Sequence, residues 1–241
     1  FVSDIGRTSH TLGGEPPLDT ANLIRACQRL KARVLVLPDV AAVRQACAGV
    51  MAQPDAFVAL WRAKQLEYAF LRSLMGRYAN FDQVTYDALH YASAATNTTL
   101  SPEQRTALLA AWYTVAPFPD TVPALQALKA RGITLAILSN GTPAMLERLV
   151  QATSMDGMFD FLLSVDSVRR YKPDPAVYAL IEPALGLGRT QVLFVSSNGW
   201  DAAGARAFGL PVCWVNRAAT PTDQLDQPPT YSVASLAELL A

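Results

Sequence analysis

The sequence predicts an α/β fold in which a doubly wound, parallel, Rossmann-like sheet carries an inserted all-helical cap subdomain. From Pro117 onward, short apolar runs alternate with helical patterns. Runs that are apolar throughout, rather than at every second residue, are typical of parallel strands covered by helices on both faces. Residues 45–116 show helical spacing and no strand pattern, which indicates a separate helical unit.

Five apolar runs are predicted strands, of which the first precedes the helical block and the others follow it. They are Arg33–Pro38, Ile133–Leu138, Phe161–Val165, Val192–Val195 and Leu210–Val215. The stretch after Thr142 is predicted to be a helix with Pro143 in its first turn, and Asp174 is predicted to cap another. Sheets of this kind bind ligands beyond the carboxyl ends of their strands.

The helical block is recognised by large apolar residues at helical spacing, namely Leu60, Trp61, Tyr68, Leu71 and Met75. Within it, Ser101-Pro-Glu-Gln104 has the pattern of a helix start with a capping box. We therefore predict three parts. They are an atypical N-terminal extension (1–31), a Rossmann-like core domain (32–44 and 117–241) and a helical cap subdomain (45–116).

Composition narrows the class of partner. Twenty basic and twenty acidic residues give a net charge of zero, so there is no electrostatic footprint for nucleic acid or an anionic membrane. The sequence contains no run of about 18 apolar residues that would suggest a membrane span. The three cysteines (Cys27, Cys47 and Cys213) form no CxxC pair, which favours a reducing cytoplasm over a disulfide framework or a zinc site. We expect a small-molecule ligand.

Small polar residues follow two of the predicted strands, and a lysine lies between them in sequence. Ser139-Asn140-Gly141 follows one strand, Ser196 to Asp201 follows another, and Lys172 precedes a helix. Each alone is an ordinary turn or cap. Together, at the carboxyl ends of parallel strands, they predict one crevice with chemistry of its own.

The residue types indicate what this crevice can do. A hydroxyl and free backbone N–H groups after Leu138 can hold a carboxylate or a phosphate, and Lys172 supplies a fixed positive charge. Asn198 and Asp201 can position or deprotonate a water molecule. Magnesium requires one or two carboxylates, but Ser196 occupies the position after Val195 where one is expected. We therefore predict a reaction without metal or cofactor.

At these residues the sequence resembles the haloacid dehalogenase superfamily, and within it the L-2-haloacid dehalogenases most closely. The resemblance extends over roughly residues 39–240. The similar segments include Leu60-Trp-Arg-Ala-Lys-Gln-Leu-Glu-Tyr68, Asn80-Phe81, Ala136-Ile-Leu-Ser-Asn-Gly141, Tyr171-Lys-Pro-Asp174, Leu193-Phe-Val-Ser-Ser-Asn198 and Trp200-Asp201. So many segments in the same order are far more specific than a single motif.

The resemblance implies hydrolysis of L-2-haloacids to D-2-hydroxyacids without a metal, through an ester on an aspartate. It implies that Arg62, Asn140 and Phe81 hold the leaving halide. It further implies that Ser139 binds the substrate carboxylate and that Lys172 steadies the negative charges.

The remaining implied roles support these. Tyr178 and Ser196 support the network around the lysine, Asn198 and Asp201 orient the hydrolytic water, and Trp200 helps to wall the pocket. The resemblance also implies a homodimer formed through the cap helices.

The sequence departs from the family at the nucleophile. The family's first strand ends in Asp-x-Tyr-Gly-Thr-Leu-Phe-Asp-Val, and Leu37-Pro-Asp-Val40 resembles only its last four residues. Counting back places the nucleophile position at Ala32, which has no carboxylate. Two substitutes stay open: Asp39, with Val43 four residues on, and Asp4, with Thr8.

Three functions compete at this point. The first is a hydrolytic dehalogenase with a substitute nucleophile, for which Asp39 is the first candidate. The second is a non-catalytic relative that binds small carboxylates. The third, a magnesium-dependent phosphatase, is disfavoured by Ser196. A serine or cysteine hydrolase is disfavoured too, because the sequence has no Gly-x-Ser-x-Gly elbow and only His10 and His90 as bases.

Overall fold

A six-stranded parallel sheet forms the centre of the molecule. The computed structural model describes residues 30–36, 41–114 and 116–240. The strand order is β3-β2-β1-β4-β5-β6. The strands are β1 (Ala32–Val36), β2 (Thr134–Ser139), β3 (Phe161–Ser164), β4 (Val192–Ser196), β5 (Val212–Val215) and β6 (Tyr231–Val233). This is the predicted doubly wound α/β fold, and the prediction is confirmed.

The central strands are mostly apolar on both faces because helices cover both faces. Val34 of β1 pairs with Ala136 of β2 and Phe194 of β4, and all three are fully buried. The intervening side chains, such as Leu135 and Leu193, are equally buried but belong to a second core cluster. Strands buried in this way show continuous apolar runs, and such runs made them visible in the sequence.

Between β1 and β2 the described chain is helical. It forms α1 (Ala41–Ala48), α2 (Pro54–Leu74), α3 (Phe81–Ala95) and α4 (Pro102–Ala110), followed by a 3₁₀ turn (Ala111–Tyr113). A fifth helix, α5 (Thr121–Ala130), also precedes β2. The remaining helices are α6 (Pro143–Ala152), α7 (Pro175–Tyr178), α8 (Ile181–Leu185) and α9 (Gly199–Phe208). None of the helices in the described ranges combines the length and hydropathy that a membrane span needs.

Side-chain caps fix the starts of several helices. The capping box predicted at Ser101 is present, with Gln104 as its partner. Asp174 accepts from the backbone N–H of Ala176, as predicted. Thr142 caps α6, and its hydroxyl accepts from the backbone N–H of Met145 at 3.3 Å. Because these caps satisfy otherwise unpaired N–H groups, they fix where α6 leaves the end of β2.

One strand was not predicted. β6 has three residues, Tyr231–Val233, at the edge of the sheet, and only Val233 is buried. So short a half-exposed strand produces no apolar run. The predicted first strand, Arg33–Pro38, is observed as Ala32–Val36, and residues 37–40 lie outside the described part of the chain.

One continuous hydrophobic core joins a face of the sheet to the helices of the 54–113 region. Ala136 and Phe194 of the sheet belong to the same cluster as Trp61 of α2 and Phe81 of α3. Trp61 packs edge-on against Trp112, with ring centroids 5.6 Å apart. The helices are therefore held over the carboxyl edge of the sheet by packing as well as by the chain.

Candidate active site

A cavity of about 100 Å³ lies beyond the carboxyl ends of β2 and β4, beneath α2 and α3. That volume is several times the roughly 10–15 Å³ that a water molecule requires. Eight of the residues predicted for the site line it: Arg62, Phe81, Ser139, Asn140, Lys172, Asn198, Trp200 and Asp201. The structure thus brings together residues that are up to 139 positions apart in the sequence.

Lys172 is fixed on the floor of the cavity. Its Nζ donates to the carbonyl oxygen of Leu138 at 2.8 Å and to Oδ2 of Asp201 at 3.2 Å, and the residue is 1% exposed. Burial lowers the pKa of the Lys172 ammonium group, while the charge of Asp201 and their hydrogen bond act in the opposite direction. These two hydrogen bonds therefore fix the position of the Lys172 ammonium group in the cavity.

Asp201 accepts three hydrogen bonds and is fully buried. Oδ1 accepts from the hydroxyl of Tyr178 at 2.8 Å, and Oδ2 accepts from Oγ of Ser196 at 3.0 Å and from Lys172. Asp201 also lies in the first turn of α9, where the helix dipole favours a negative charge. Both oxygens of this carboxylate are therefore occupied by hydrogen bonds from Lys172, Tyr178 and Ser196.

Tyr178 and Ser196 lie behind the cavity wall. Both are fully buried, and neither is among the residues that line the cavity. Burial, followed by the charge of Asp201, raises the pKa of the Tyr178 phenol, so this group stays a hydrogen-bond donor. Ser196 also accepts from the backbone N–H of Asn198 at 3.2 Å. Both residues therefore act on the cavity indirectly, through their hydrogen bonds to Asp201 and Asn198.

The turn after β2 presents polar groups to the cavity. Oγ of Ser139 accepts from the backbone N–H of Gly141 at 3.0 Å, and so its hydroxyl proton remains available for a ligand. Oδ1 of Asn140 accepts from the backbone N–H of Lys172 at 3.1 Å. Its amide NH₂ is then the end that can donate to an anion.

Arg62 brings a second positive charge from α2. Its Nη1 donates to Oε1 of Gln65 at 2.5 Å, and its guanidinium carbon lies 5.8 Å from the ring centre of Trp112. Burial lowers the pKa of Arg62 to about 10, which leaves it charged at neutral pH. Within the described ranges, no carboxylate forms an ion pair with it.

The charges around the cavity favour an anionic ligand. Among the described residues that line it, Arg62 and Lys172 are cationic and only Asp201 is anionic. Asp201 is already engaged by three donors, so the excess positive charge remains for a ligand. Positive charge in a small, partly apolar cavity acts through a low effective dielectric, which strengthens its attraction for an anion.

The apolar side of the cavity was largely missed from the sequence. The further lining side chains are Trp112, Ile137, Met145, Leu146 and Leu149. The helical spacing of Met145 and Leu149, on the helix that follows the Ser139 turn, could have indicated them. Trp112 gave no such signal, because it reaches the site through tertiary packing, including its contact with Trp61.

Comparison with known proteins identifies the family. The model of the haloacid dehalogenase-like hydrolases matches residues 17–209. An (S)-2-haloacid dehalogenase of Pseudomonas putida is 46% identical over 204 residues, which are 84% of this chain and 90% of the relative. The chain belongs to the L-2-haloacid dehalogenase family.

Solved structures of L-2-haloacid dehalogenases are similar over nearly their whole length. One has a TM-score of 0.85 and 40% identity, and the match covers 88% of this chain and 97% of the other. That of Xanthobacter autotrophicus, with chloropropionic acid covalently bound, has a TM-score of 0.81 and 34% identity, with the same coverage of 88% and 97%.

The position that family spacing assigns to the nucleophile is at the wrong end of β1. Ala32 pairs with Thr134 and Val192, at the amino ends of β2 and β4. Val36 pairs with Ser196, at the end that faces the cavity. Val36 lies four residues after Ala32, or roughly 13 Å along the strand. Ala32 therefore does not lie at the carboxyl edge of the sheet, because β1 reaches that edge only at Val36. Asp39 and Asp4 lie outside the described residues.

Proposed function

We propose that this chain hydrolyses short L-2-haloacids to D-2-hydroxyacids. The proposal is carried by the charges of the cavity: among the described residues that line it, two are cations, Arg62 and Lys172, and the one carboxylate, Asp201, is already engaged. A 2-haloacid presents two groups for such a cavity, a carboxylate and a halogen that leaves as an anion. The identity to (S)-2-haloacid dehalogenases supports the same substrate class.

We propose that the substrate carboxylate binds to Ser139 and Lys172, and that the halogen faces Arg62, Asn140 and Phe81. Negative charge develops on the halogen as the bond to C2 breaks. Donors and cations that are already oriented lower the energy of that transition state. Phe81 is 7% exposed and keeps water from the halogen, which strengthens the attraction of Arg62 for the departing halide.

We propose Asp39 as the nucleophile. Its carboxylate oxygen attacks C2 from the side opposite the halogen, the carbon–halogen bond breaks with its electron pair on the halide, and the configuration inverts. Water then adds to the ester carbonyl, which releases the hydroxyacid, a proton and the free carboxylate. The support is the position of Val36, which pairs with Ser196 at the end of β1 that faces the cavity. Asp39 follows Val36 by three residues, and three residues span at most about 10 Å, so Asp39 cannot lie far from that end of the strand.

We propose that Asn198 orients the water that cleaves the ester and that Asp201 supports this step through its neighbours. Asn198 lines the cavity, and its backbone N–H is held by Ser196. Since both oxygens of Asp201 already accept hydrogen bonds, its contribution is to hold Lys172 and Ser196 in place. Trp200 closes this side, packing against Phe70 of α2 at a centroid distance of 5.3 Å.

The test is halide release from the two enantiomers of 2-chloropropionate. We expect release from the L isomer alone, and loss of at least about a thousandfold in Asp39→Asn, the scale typical of a removed nucleophile. Asp4→Asn serves as the matched control and is expected to retain activity. Mass spectrometry of the quenched protein should show an ester on Asp39. No halide above the buffer level from folded protein would refute the proposal.

A second candidate function is a non-catalytic relative that binds small carboxylates in the same cavity. The absence of Asp-x-Tyr-Gly-Thr from the sequence favours it. This alternative predicts that calorimetry detects binding of 2-chloropropionate and lactate with no halide released. Restoring the motif ahead of Leu37 should then produce activity, whereas a cavity that binds neither compound would exclude this function.

We propose further that residues 45–116 form a cap subdomain and that two copies pair through it. Exposed apolar side chains cluster on α2 and at its end, where Leu71, Leu74 and Met75 are 42%, 84% and 63% exposed. Contiguous exposed apolar surface is typical of an interface. Light scattering should give the mass of a dimer, and Leu74→Glu should give that of a monomer. We also propose a cytoplasmic location and no nucleic-acid partner, supported by the cysteine usage and the neutral net charge.

A further inference from the structure

We propose that Gln65 is a positioning residue that holds the Arg62 guanidinium at the cavity through a neutral amide, so that the full charge of Arg62 remains available to a bound halide. The inference rests on the proposed function, which assigns the departing halide to Arg62. It adds a buried relay of hydrogen bonds, formed by Gln65 and Thr85, that prepares this charge before any ligand arrives.

Every group in the relay has a partner. Gln65 follows Arg62 by three residues on α2, which places both on the same face, and it is fully buried. Its Oε1 accepts from Arg62 Nη1 at 2.5 Å, and its Nε2 donates to Oγ1 of Thr85 at 2.7 Å. Oγ1 of Thr85 in turn donates to the carbonyl oxygen of Phe81 at 2.6 Å.

The orientation of the amide follows from these bonds. A threonine hydroxyl has one proton, and Thr85 uses it on the carbonyl of Phe81. Thr85 can then only accept from Gln65, so the NH₂ end of the amide must face α3 and its oxygen must face Arg62. The backbone carbonyl of Thr85 is itself held by Nε1 of Trp61 at 2.9 Å, which fixes this part of α3 against α2.

The neutrality of the partner distinguishes Arg62 from the other cations of α2. Lys64 is paired with Glu67 at 2.8 Å, and Arg72 is paired with Asp87 at 2.7 Å. Of these three cations, the one that faces the cavity is held by an amide. A carboxylate at position 65 would hold the guanidinium equally well but would cancel its charge, whereas an apolar side chain would keep the charge but lose the alignment.

Bromide binding to the purified full chain, measured by calorimetry, tests the relay without any need for turnover. Arg62→Leu establishes the contribution of the cavity cation. We expect Gln65→Glu to weaken bromide binding by about 10–100-fold and Thr85→Val by about 3–10-fold, on the scale of hydrogen bonds to charged groups. Thr85→Ser retains the hydroxyl and should bind within about twofold of the unaltered chain, which a purely packing role of Thr85 does not predict.

The outcomes are separable. If Gln65→Glu and Thr85→Val bind bromide as tightly as the unaltered chain while Arg62→Leu does not, the relay has no positioning role. If the unaltered chain shows no bromide binding that depends on Arg62, the inference also fails, even where halide release is observed. If the expected order is found in a chain that releases no halide, the relay is supported and the dehalogenase proposal is not. Thr85→Val keeps the volume of threonine and loses the hydroxyl, whereas Thr85→Ser keeps the hydroxyl and loses a methyl group, so this pair decides the case should a Gln65 variant fail to fold.

Discussion

Replacing Asp201 by asparagine tests how much the fold depends on the buried pair beneath the cavity. Asp201 and Lys172 are 0% and 1% exposed, and Oδ2 lies 3.2 Å from Nζ. At that separation, and with an effective dielectric of about 20, the attraction is roughly 5 kcal/mol. The neutral amide of the variant would leave the ammonium group buried without a counter-charge. We expect the free energy of unfolding to fall by about 3–5 kcal/mol, as when one member of a buried pair is removed.

Urea denaturation at several pH values measures this loss and its cause. Burial lowers the pKa of Lys172, and Asp201 opposes that shift. Without Asp201 the folded lysine binds its proton more weakly than the unfolded chain does, so the stability of the variant should rise with pH up to the ordinary lysine pKa of about 10.4. The deficit should be largest near neutral pH and should narrow in alkaline solution.

Two variants complete the experiment. Glu182→Gln breaks an exposed pair with Arg189 and should cost no more than about 1 kcal/mol. In Lys172→Met/Asp201→Asn the uncompensated charge is gone, and stability should recover relative to Asp201→Asn alone. A loss below about 1 kcal/mol in Asp201→Asn, or one independent of pH, would show that a charged pair does not support the site.

Two further predictions concern packing at the site. In Gly204→Ala the added Cβ would lie 2.5 Å from the hydroxyl oxygen of Tyr178 and 2.6 Å from Cβ of Pro173, so we expect a loss of about 1–3 kcal/mol from overpacking. Gly49→Ala, with no atom within 4 Å of the new Cβ, is the control for thermal melting, and equal melting temperatures would contradict the reasoning. Met145→Ala enlarges the cavity at its apolar wall. We expect kcat/KM for L-2-chlorobutyrate relative to L-2-chloropropionate to rise roughly tenfold, the scale of one methylene group. An unchanged ratio would mean that Met145 does not face the substrate's alkyl chain.

The fold was predictable because its strands are buried on both faces. β2 and β4 were located to within one residue of their observed bounds, Thr134–Ser139 and Val192–Ser196, since strands between two helical layers are mostly apolar on both faces. β6 escaped because only Val233 of its three residues is buried. Strand length and burial, rather than β propensity, decided which elements were visible.

The polar half of the site was predictable from the strand ends, and the apolar half was not. Ser139 and Lys172 carry polar groups in places where a buried strand has just ended or a helix begins, so their convergence follows from topology. Trp112 reaches the cavity through helix packing, which leaves no local pattern. The role proposed for Arg62 came from the resemblance to a family. From the helical pattern alone, an arginine at this position would have been interpreted as an ordinary surface residue.

Continuity of the core also constrains how a small molecule reaches the cavity. Trp61 and Phe81 share one cluster with Phe194 of the sheet. Moving the helices away from the sheet would expose these aromatic rings to water, and each ring buries about 150–250 Å². At roughly 25 cal/mol per Å² this is on the order of 10 kcal/mol for the three rings. We therefore expect exchange with solvent to be cheaper through rotation of a half-buried side chain that lines the cavity, such as Trp200. We expect an entrance of this kind to select solutes by their width before they contact the residues inside the cavity.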